Sequence, residues 1–551
     1  MEKRTLIAII LMLLLYLVFQ QFIWKPAPAA QPSIEQPMQA QAADPVADSL
    51  VAKVAAVPDS LSETDIPITQ VTLQNEVMEV SFTNQGGSIS QIRLKKFNQD
   101  DGEAVQLVPD GTVMAGLSVI HPAMKTDLYH VVFNHRMNAD SSSVDFWLGD
   151  EEAPLLLRRY TLDKSYGIQM QVKIDGMGAV NGLSLDFGAG IADSEAYTKY
   201  KDQDYKFIYY ANNEQTKMAL AKLRKKGVQG QFNSFRWAAL RSKYFAIVLN
   251  EKEPRLNVTM AAFANQNTGN PALQLEFKSP SASVNWDASY LIYAGPADYD
   301  ILVNYQDQME NVAERGPGWL RWLANLIASF LKFLHGYIPN YGLVIIIFSM
   351  LLSLILTSVQ QPLTRKGMEA NMKMQSIQPE MDAIRKRYPN DTNQQRIEMA
   401  KLQQEHGINM FGGCITFVPL LINMPILISL YNVLRYTLDM RNASFILWWQ
   451  DLSLPDKYYA LPILMALTMI VQSRFLKPPT PADGKMTDQQ KQAQQMGKTM
   501  NWIMPVMMFF IFRGLPAGLV LYYTVYSIFS AFQQYRMQKK MRAKDNEIVA
   551  Q

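Results

Sequence analysis

Residues 341–359 read YGLVIIIFSMLLSLILTSV, 19 positions without one charged side chain. A run of this kind is close to the ~20 residues that cross a bilayer as a helix. Working outward, further apolar runs occupy 415–434, 458–476, 500–512 and 515–532, the last two separated only by Arg513-Gly514. Two short runs joined so tightly predict a helical hairpin, and short spans imply tilt or local thinning of the bilayer. The mean composition of the 551-residue chain hides this segregation, with 48% hydrophobic residues, 18% charged residues and a net charge of +3. A wholly soluble protein is excluded. One cysteine, Cys414, excludes a disulfide framework, and with five scattered histidines it excludes a Cys/His zinc cluster.

Toward the N-terminus the pattern changes three times. Residues 317–338 carry Trp319, Trp322, Leu326, Phe330 and Phe333 beside Arg321 and Lys332, with no acidic residue, which predicts a helix lying in the outer interface. From 67 to 312 the period is two. Met170, Val172 and Ile174 alternate with polar residues, as do Leu273, Leu275 and Phe277, and Gly86-Gly87 and Asp175-Gly176 mark turns. This predicts an antiparallel β-sandwich, with a helical insertion at 213–226. Residues 25–66, rich in Ala, Pro, Gln and Asp, predict a disordered linker. The start, Met1-Glu2-Lys3-Arg4 followed by an apolar run to Trp24, fits an uncleaved anchor, although Ala27-Pro28-Ala29 keeps a cleaved signal open. With that anchor there are six transmembrane helices.

Lys and Arg in short loops set the orientation. The 362–410 segment carries Arg365, Lys366, Lys373, Arg385, Lys386, Arg387, Arg396 and Lys401, and the tail carries Arg536, Lys539, Lys540, Arg542 and Lys544. Both termini are therefore expected in the cytoplasm and the β domain in the periplasm. The expected plan is an N-terminal transmembrane anchor at 1–24, the linker at 25–66, a periplasmic β-sandwich at 67–312 and an interfacial amphipathic helix at 313–340. Transmembrane helix 2 follows at 341–361, a cytoplasmic helical hairpin at 362–410, transmembrane helices 3–6 at 411–535 and a basic cytoplasmic tail at 536–551. In the hairpin Met368, Met372, Ile377, Met381 and Ile384 recur at near-helical spacing, Tyr388-Pro389-Asn390-Asp391 breaks the run, and Ile397 and Leu402 lie in a second helix. Met-rich faces adapt to varied partners, so the hairpin reads either as a solvated topology signal or as a docking surface for a nascent chain, a ribosome or a translocation partner.

Two spans carry polar stripes. Ser349, Ser353, Thr357, Gln360 and Gln361 fall within an arc of roughly 120° at 100° per residue. In the last span Tyr523, Ser527, Ser530 and Gln534 form one stripe, flanked by Tyr522, Tyr526 and Gln533. Membrane-embedded Ser and Thr often only bond their own backbone or glue helices together. Two aligned stripes, richest in amides toward the cytoplasm, suggest instead a wet cavity that Asn423 could join. No nucleotide-binding loop, no H-E-x-x-H and no Asp or Glu inside a span is present, so nucleotide hydrolysis and proton-coupled transport are disfavoured, and neither enzymatic activity nor a cofactor is expected.

Several short segments together resemble the YidC/oxidase-assembly family of membrane protein insertases. They are Gln360-Gln361-Pro362-Leu363-Thr364, Met372-Lys373-Met374-Gln375 with Gln378-Pro379, Gly412-Gly413-Cys414, Asn423-Met424-Pro425-Ile426, Tyr458 through Leu464, and Pro516-Ala517-Gly518-Leu519-Val520-Leu521-Tyr522-Tyr523. Lys243-Tyr244-Phe245 and Tyr293-Ala294-Gly295-Pro296 look like the periplasmic domain of Gram-negative members. The resemblance implies a chaperone-like insertase of the bacterial inner membrane, acting on nascent membrane proteins alone or with the Sec translocon, with ribosome and lipids as further partners. The stripes then become the walls of a substrate groove, and Tyr522 and Tyr523 match substrate-contacting positions. Family members usually carry Arg or Lys five residues before the proline of Pro-Leu-Thr; here that position is Thr357. A small-solute transporter or channel with a periplasmic binding domain is the alternative; it predicts inverted repeats or midplane charges, which the sequence lacks.

Overall fold

The computed structural model describes residues 54–55, 67–99, 101–122, 124–139, 141–252, 257–389, 391–406, 418–475 and 488–550. The expected anchor at 1–24, most of the linker, and Cys414 lie outside the described residues. The chain forms two compact units that divide between Ala313 and Glu314, and each is taken by itself.

Among the described residues from Arg321 onward are eight α-helices: α1 Arg321–His335, α2 Tyr341–Ser376, α3 Gln378–Arg387, α4 Thr392–Glu405, α5 Val418–Tyr436, α6 Ala460–Phe475, α7 Asp488–Phe512 and α8 Ala517–Ala550. The apolar part of α2, Tyr341–Pro362, is 22 residues long with mean hydropathy 2.6. At 1.5 Å per residue it measures about 33 Å, enough for a hydrocarbon core of about 30 Å. Ala460–Ser473 and Trp502–Phe512 are shorter apolar helices. α2 packs most extensively on α8, α8 also on α6, and α1 on α5.

The sequence reading ends a helix near 361 and another near 532, but both continue. α2 runs through Pro362 to Ser376 and α8 runs on to Ala550, taking the basic tail into one helix. Pro362 removes a single N–H, whose acceptor would be the Ser358 carbonyl. At the polar end of a span water can replace that bond, so one proline does not stop the helix. α7 likewise starts at Asp488, ahead of its apolar portion.

α1 buries Ala324, Ile327 and Leu331 while Trp322, Leu326, Phe330 and Phe333 stay exposed. α3 and α4 form a pair around a small core of Ile377, Met381 and Leu402, with Met374, Ile384 and Met399 packed on it. Asp391 caps α4 by accepting from the Asn393 and Gln394 amides at 3.1 and 3.0 Å. Ile397 stands exposed, so Met399 and Leu402, rather than Ile397, face α3.

The other unit is built from antiparallel strands. Its spine is the pairing of Gly167–Phe187 with Pro271–Pro296, in register from Gly167–Tyr293 to Phe187–Leu273 with a bulge after Asp175. Ile168, Met170, Val172 and Ile174 point into the core opposite Leu273, Leu275 and Phe277 farther along, as the period of two predicts. A four-stranded sheet of Gln70–Gln74, Met78–Thr83, Ser88–Asn98 and Ala104–Gln106 packs on the larger one, with Phe82 4.6 Å from Tyr160 between ring centroids. Val54–Ala55, within the expected linker, pairs in parallel with Lys125 and Thr126. The expected helical insertion at 213–226 is corrected: Glu214–Ala219 is a strand paired with Lys206–Ala211, and only Leu220–Lys225 is helical. The reason lies in Asn212 and Asn213, whose φ of 51° and 60° make the two-residue turn that joins twisted hairpin strands.

Gly86 and Gly87, with φ of 70° and 57°, form a turn that the core grips from below. The Arg158 guanidinium, fully buried, donates to the Gly86 carbonyl at 3.0 Å and to the Ala115 carbonyl, and the Tyr160 hydroxyl donates to the Gly87 carbonyl at 3.0 Å. Burial lowers the Arg158 pKa, yet guanidinium starts so high that it stays charged; burial pushes Tyr160 up to about 12. Arg158→Met should leave the buried Ala115 carbonyl without this donor, at about 1–3 kcal/mol, and leave the Gly86 carbonyl with the weaker bond from the Ser88 hydroxyl at 3.4 Å. We expect thermal unfolding of this unit, followed by its tryptophan fluorescence, to fall by roughly 5–10 °C; an unchanged midpoint would mean that the guanidinium only fills space.

Candidate functional site

The polar residues singled out in the sequence lie on α2, α5 and α8, and three of them meet. Gln360 of α2 donates through Nε2 to Asn423 Oδ1 of α5 at 3.0 Å, and Asn423 Nδ2 donates to the Tyr526 hydroxyl of α8 at 3.3 Å. One amide thus ties three helices together by using both its acceptor and its donor. α2 brings Gln360 to this point because Ser349, Ser353, Thr357 and Gln360 follow the 3.6-residue repeat. α5 brings Asn423 two residues before Pro425, an internal proline that frees a carbonyl in the same stretch.

The remaining stripe residues sort by depth. Ser349 and Ser353 are fully buried. Ser349 donates to its own helix at the Ile345 carbonyl, 2.6 Å away, while the Ser353 hydroxyl has no partner. Thr357 is half-buried and Gln361 exposed. On α8, Tyr522 and Ser527 are buried and Tyr523, Tyr526 and Ser530 half-buried; the side chain of Gln534 lies outside the described residues. Tyr522 stacks on Tyr526 at 5.9 Å and lies 6.2 Å from Phe348, and Tyr523 lies 5.1 Å from Phe512. The stripes therefore shade from closed packing at Ser349 and Tyr522 to partial exposure at Thr357, Gln361 and Ser530.

Sequence reasoning passed over several polar groups. Ser429 on α5 is buried with its hydroxyl unpartnered; Gln533, which the sequence did single out, has a buried Oε1 without a donor. Thr524 is buried and donates to the Val520 carbonyl at 2.7 Å. Arg435 near the C-terminal end of α5 is 4% exposed, its guanidinium 5.7 and 5.5 Å from the Tyr431 and Tyr436 ring centroids. Chemically, hydroxyls, amides and tyrosines can bind and hydrate a polar chain. Asn423→Leu should strand both Gln360 and Tyr526; at about 0.6 kcal/mol per membrane hydrogen bond we expect a loss of about 1 kcal/mol, read as a lower midpoint in thermal unfolding in detergent micelles. An equal loss from Asn423→Leu in a Gln360→Leu, Tyr526→Phe background would show that the links carry nothing.

The family described as "YidC periplasmic domain" matches residues 70–330, and the family described as "60Kd inner membrane protein" matches residues 333–545. The "Membrane protein insertase YidC" of Syntrophus aciditrophicus is 27% identical over 98% of this chain and 100% of its own length. That of Geobacter metallireducens is 28% identical over 98% of this chain and 99% of its own. A solved structure titled "Active YidC insertase crystal structure with the first transmembrane domain resolved" shares 17% identity, covers 85% of this chain and 94% of that one, and gives a TM-score of 0.35. With both family regions in chain order and relatives matching from end to end, the chain belongs to the YidC family of membrane protein insertases.

Proposed function

We propose that this chain, an insertase of the bacterial inner membrane with a periplasmic domain, receives the hydrophilic part of a nascent membrane protein in a groove between α2, α5 and α8. The observation that supports this is the Gln360–Asn423–Tyr526 chain, with Thr357 and Gln361 left partly open beside it. The basic residues flanking this end of α2 and α8 put it on the cytoplasmic side. In this reading six helices span the membrane, both termini are cytoplasmic, and α1 lies in the periplasmic interface with its exposed Trp322 and Phe333 against lipid.

The mechanism needs no chemical step. A substrate's polar tail crosses a shorter apolar distance if its first part sits among hydroxyls, amides and water. Its apolar helix then leaves sideways into lipid, a transfer worth about 25 cal/mol per Å² of apolar surface removed from water. The α3–α4 pair, held by few apolar residues, acts as a cytoplasmic docking element for the nascent chain, the ribosome or the Sec translocon.

Three experiments test this. In a Cys414→Ser background, cysteines at Thr357 and Gln361 should react with a membrane-impermeant maleimide from the cytoplasmic side, while one at Ile355, on the lipid-exposed side of α2, should not. Replacing Thr357, Gln361 and Ser527 together by Leu should slow insertion of substrates with hydrophilic translocated tails roughly twentyfold, since three contacts of about 0.6 kcal/mol sum to about 1.8 kcal/mol. Normal insertion by that variant with inert cysteines would reduce the stripes to packing. Met381→Asp places a carboxylate in the Ile377–Leu402 core; it should open α3 and α4 to trypsin at Arg385–Lys401 and lower insertion. If the opened hairpin inserts substrates at the usual rate, it serves topology alone.

A further inference from the structure

The connection between α5 and α6 ends in a tight turn of unusual composition. The Phe445 amide donates to the Trp449 carbonyl at 2.8 Å, and the Leu452 amide to the Ala443 carbonyl at 3.1 Å, closing a loop with Ile446, Leu447 and Trp448 at its tip. From Asn442 to Gln450 there is no charged residue. Leu447 is 75% exposed and holds φ at 57°, a left-handed conformation that a branched apolar side chain disfavours. Ile446 is 51% exposed beside it.

The base of the turn is as fixed as its tip is bare. The Asn340 amide donates to the Phe445 carbonyl at 3.2 Å, and a Cβ on Gly342 would overlap the Phe445 ring, so the turn sits directly on the first residues of α2. The Ala517 and Gly518 amides donate to the Leu454 and Leu452 carbonyls at 2.7 and 2.9 Å, which ties it also to the start of α8. Asp456, buried, accepts from the Trp448 indole at 3.1 Å and from the Leu461 amide at 2.8 Å. The indole is thereby satisfied inside the protein while its ring edge faces outward, 5.2 Å from the exposed Tyr458 ring. The apolar span of α2 begins at Tyr341, so the tip stands at the level where hydrocarbon gives way to headgroups, and aromatic belts occupy that level. His335 stacks on Tyr341 at 3.7 Å, which brings the end of α1 to the same level.

We propose that the 445–449 turn is a lipid-inserted tip, with Ile446, Leu447 and the edge of Trp448 seated in the headgroup–acyl boundary of the leaflet at the N-terminal end of α2. Hydrocarbon takes up the exposed side chains, and the left-handed Leu447 is retained because it turns Leu447 outward from a base that Asp456 and Asn340 hold rigid. The tip fixes the depth at which α2 and α8 begin, independently of the groove. The inference rests on α2 crossing the bilayer and on nothing in the groove reading.

The test uses the full-length protein in phospholipid nanodiscs, with Cys414→Ser and one bimane-labelled cysteine at a time, Leu447→Cys or Ile446→Cys, and Ile355→Cys within α2 as the control. Bimane at 447 and at 446 should be blue-shifted, should lose most of its intensity when the lipids are brominated near the headgroup end of their acyl chains, and should resist aqueous iodide. The control should be quenched by lipids brominated deeper. If the control responds while position 447 is quenched by iodide, the tip is in water and the proposal is wrong. If position 447 resists both iodide and brominated lipid, a protein surface covers it and the proposal is equally overturned. A control quenched by iodide would instead remove the assumption that α2 spans.

Discussion

Hydrocarbon offers no hydrogen-bond partner, and that absence governs how α2, α5 and α8 are arranged. An amide facing lipid would cost several kcal/mol, so Gln360 and Asn423 must turn toward protein or water. They turn toward each other and toward Tyr526. The same demand explains Ser349 and Thr524, which return their hydroxyls to carbonyls of their own helices. Ser353, Ser429 and the Gln533 Oε1 on these helices are exceptions, buried and unpartnered.

The apolar lengths of the helices act in the same direction as the polar chain. The apolar portion of α7, Trp502–Phe512, measures about 17 Å at 1.5 Å per residue, against a hydrocarbon core of about 30 Å. A helix too short for its bilayer thins the membrane locally or draws flanking residues inward. The apolar part of α2 is long enough to span without strain. In the proposed arrangement a short apolar stretch in α7 lowers the barrier, and the polar chain removes a further part of the apolar path.

The hydropathy of 341–359 and the alternation at 170–174 and 273–277 made the two kinds of architecture legible, because burial leaves its period in the sequence. Ser349 and Ser353 were legible as one face for the same reason. What was not legible depended on partners distant in sequence. Gln360 and Asn423 are 63 residues apart, and no local pattern states that they bond. Asn212-Asn213 carried a hairpin signal that the helix-forming residues after it masked, since propensity yields where a turn already pairs the strand. The continuation of α2 past 361 was not legible either, because the apolar run ends there while Pro362, at the polar end, does not stop the helix.

The threonine at 357 changes what this seam can do. An Arg or Lys at this position would attract acidic segments, but on the helix it would cost about 2.5–3.5 kcal/mol to hold at membrane depth. Thr357 carries no such cost and no such attraction. It contributes one donor and one acceptor on a half-buried surface, next to Gln361, which is exposed, and Gln360, which is already engaged by Asn423. In the groove proposed above, selection by charge gives way to selection by hydration: a polar segment is accommodated because hydroxyl and amide groups replace part of its water, whatever the sign of its charge. The buried Arg435 does not restore the missing field, because its guanidinium lies over Tyr431 and Tyr436, two or more helical turns along α5 from Asn423. A seam built this way favours substrates by the length and polarity of the segment to be moved, and leaves the apolar helix that follows to supply the driving force.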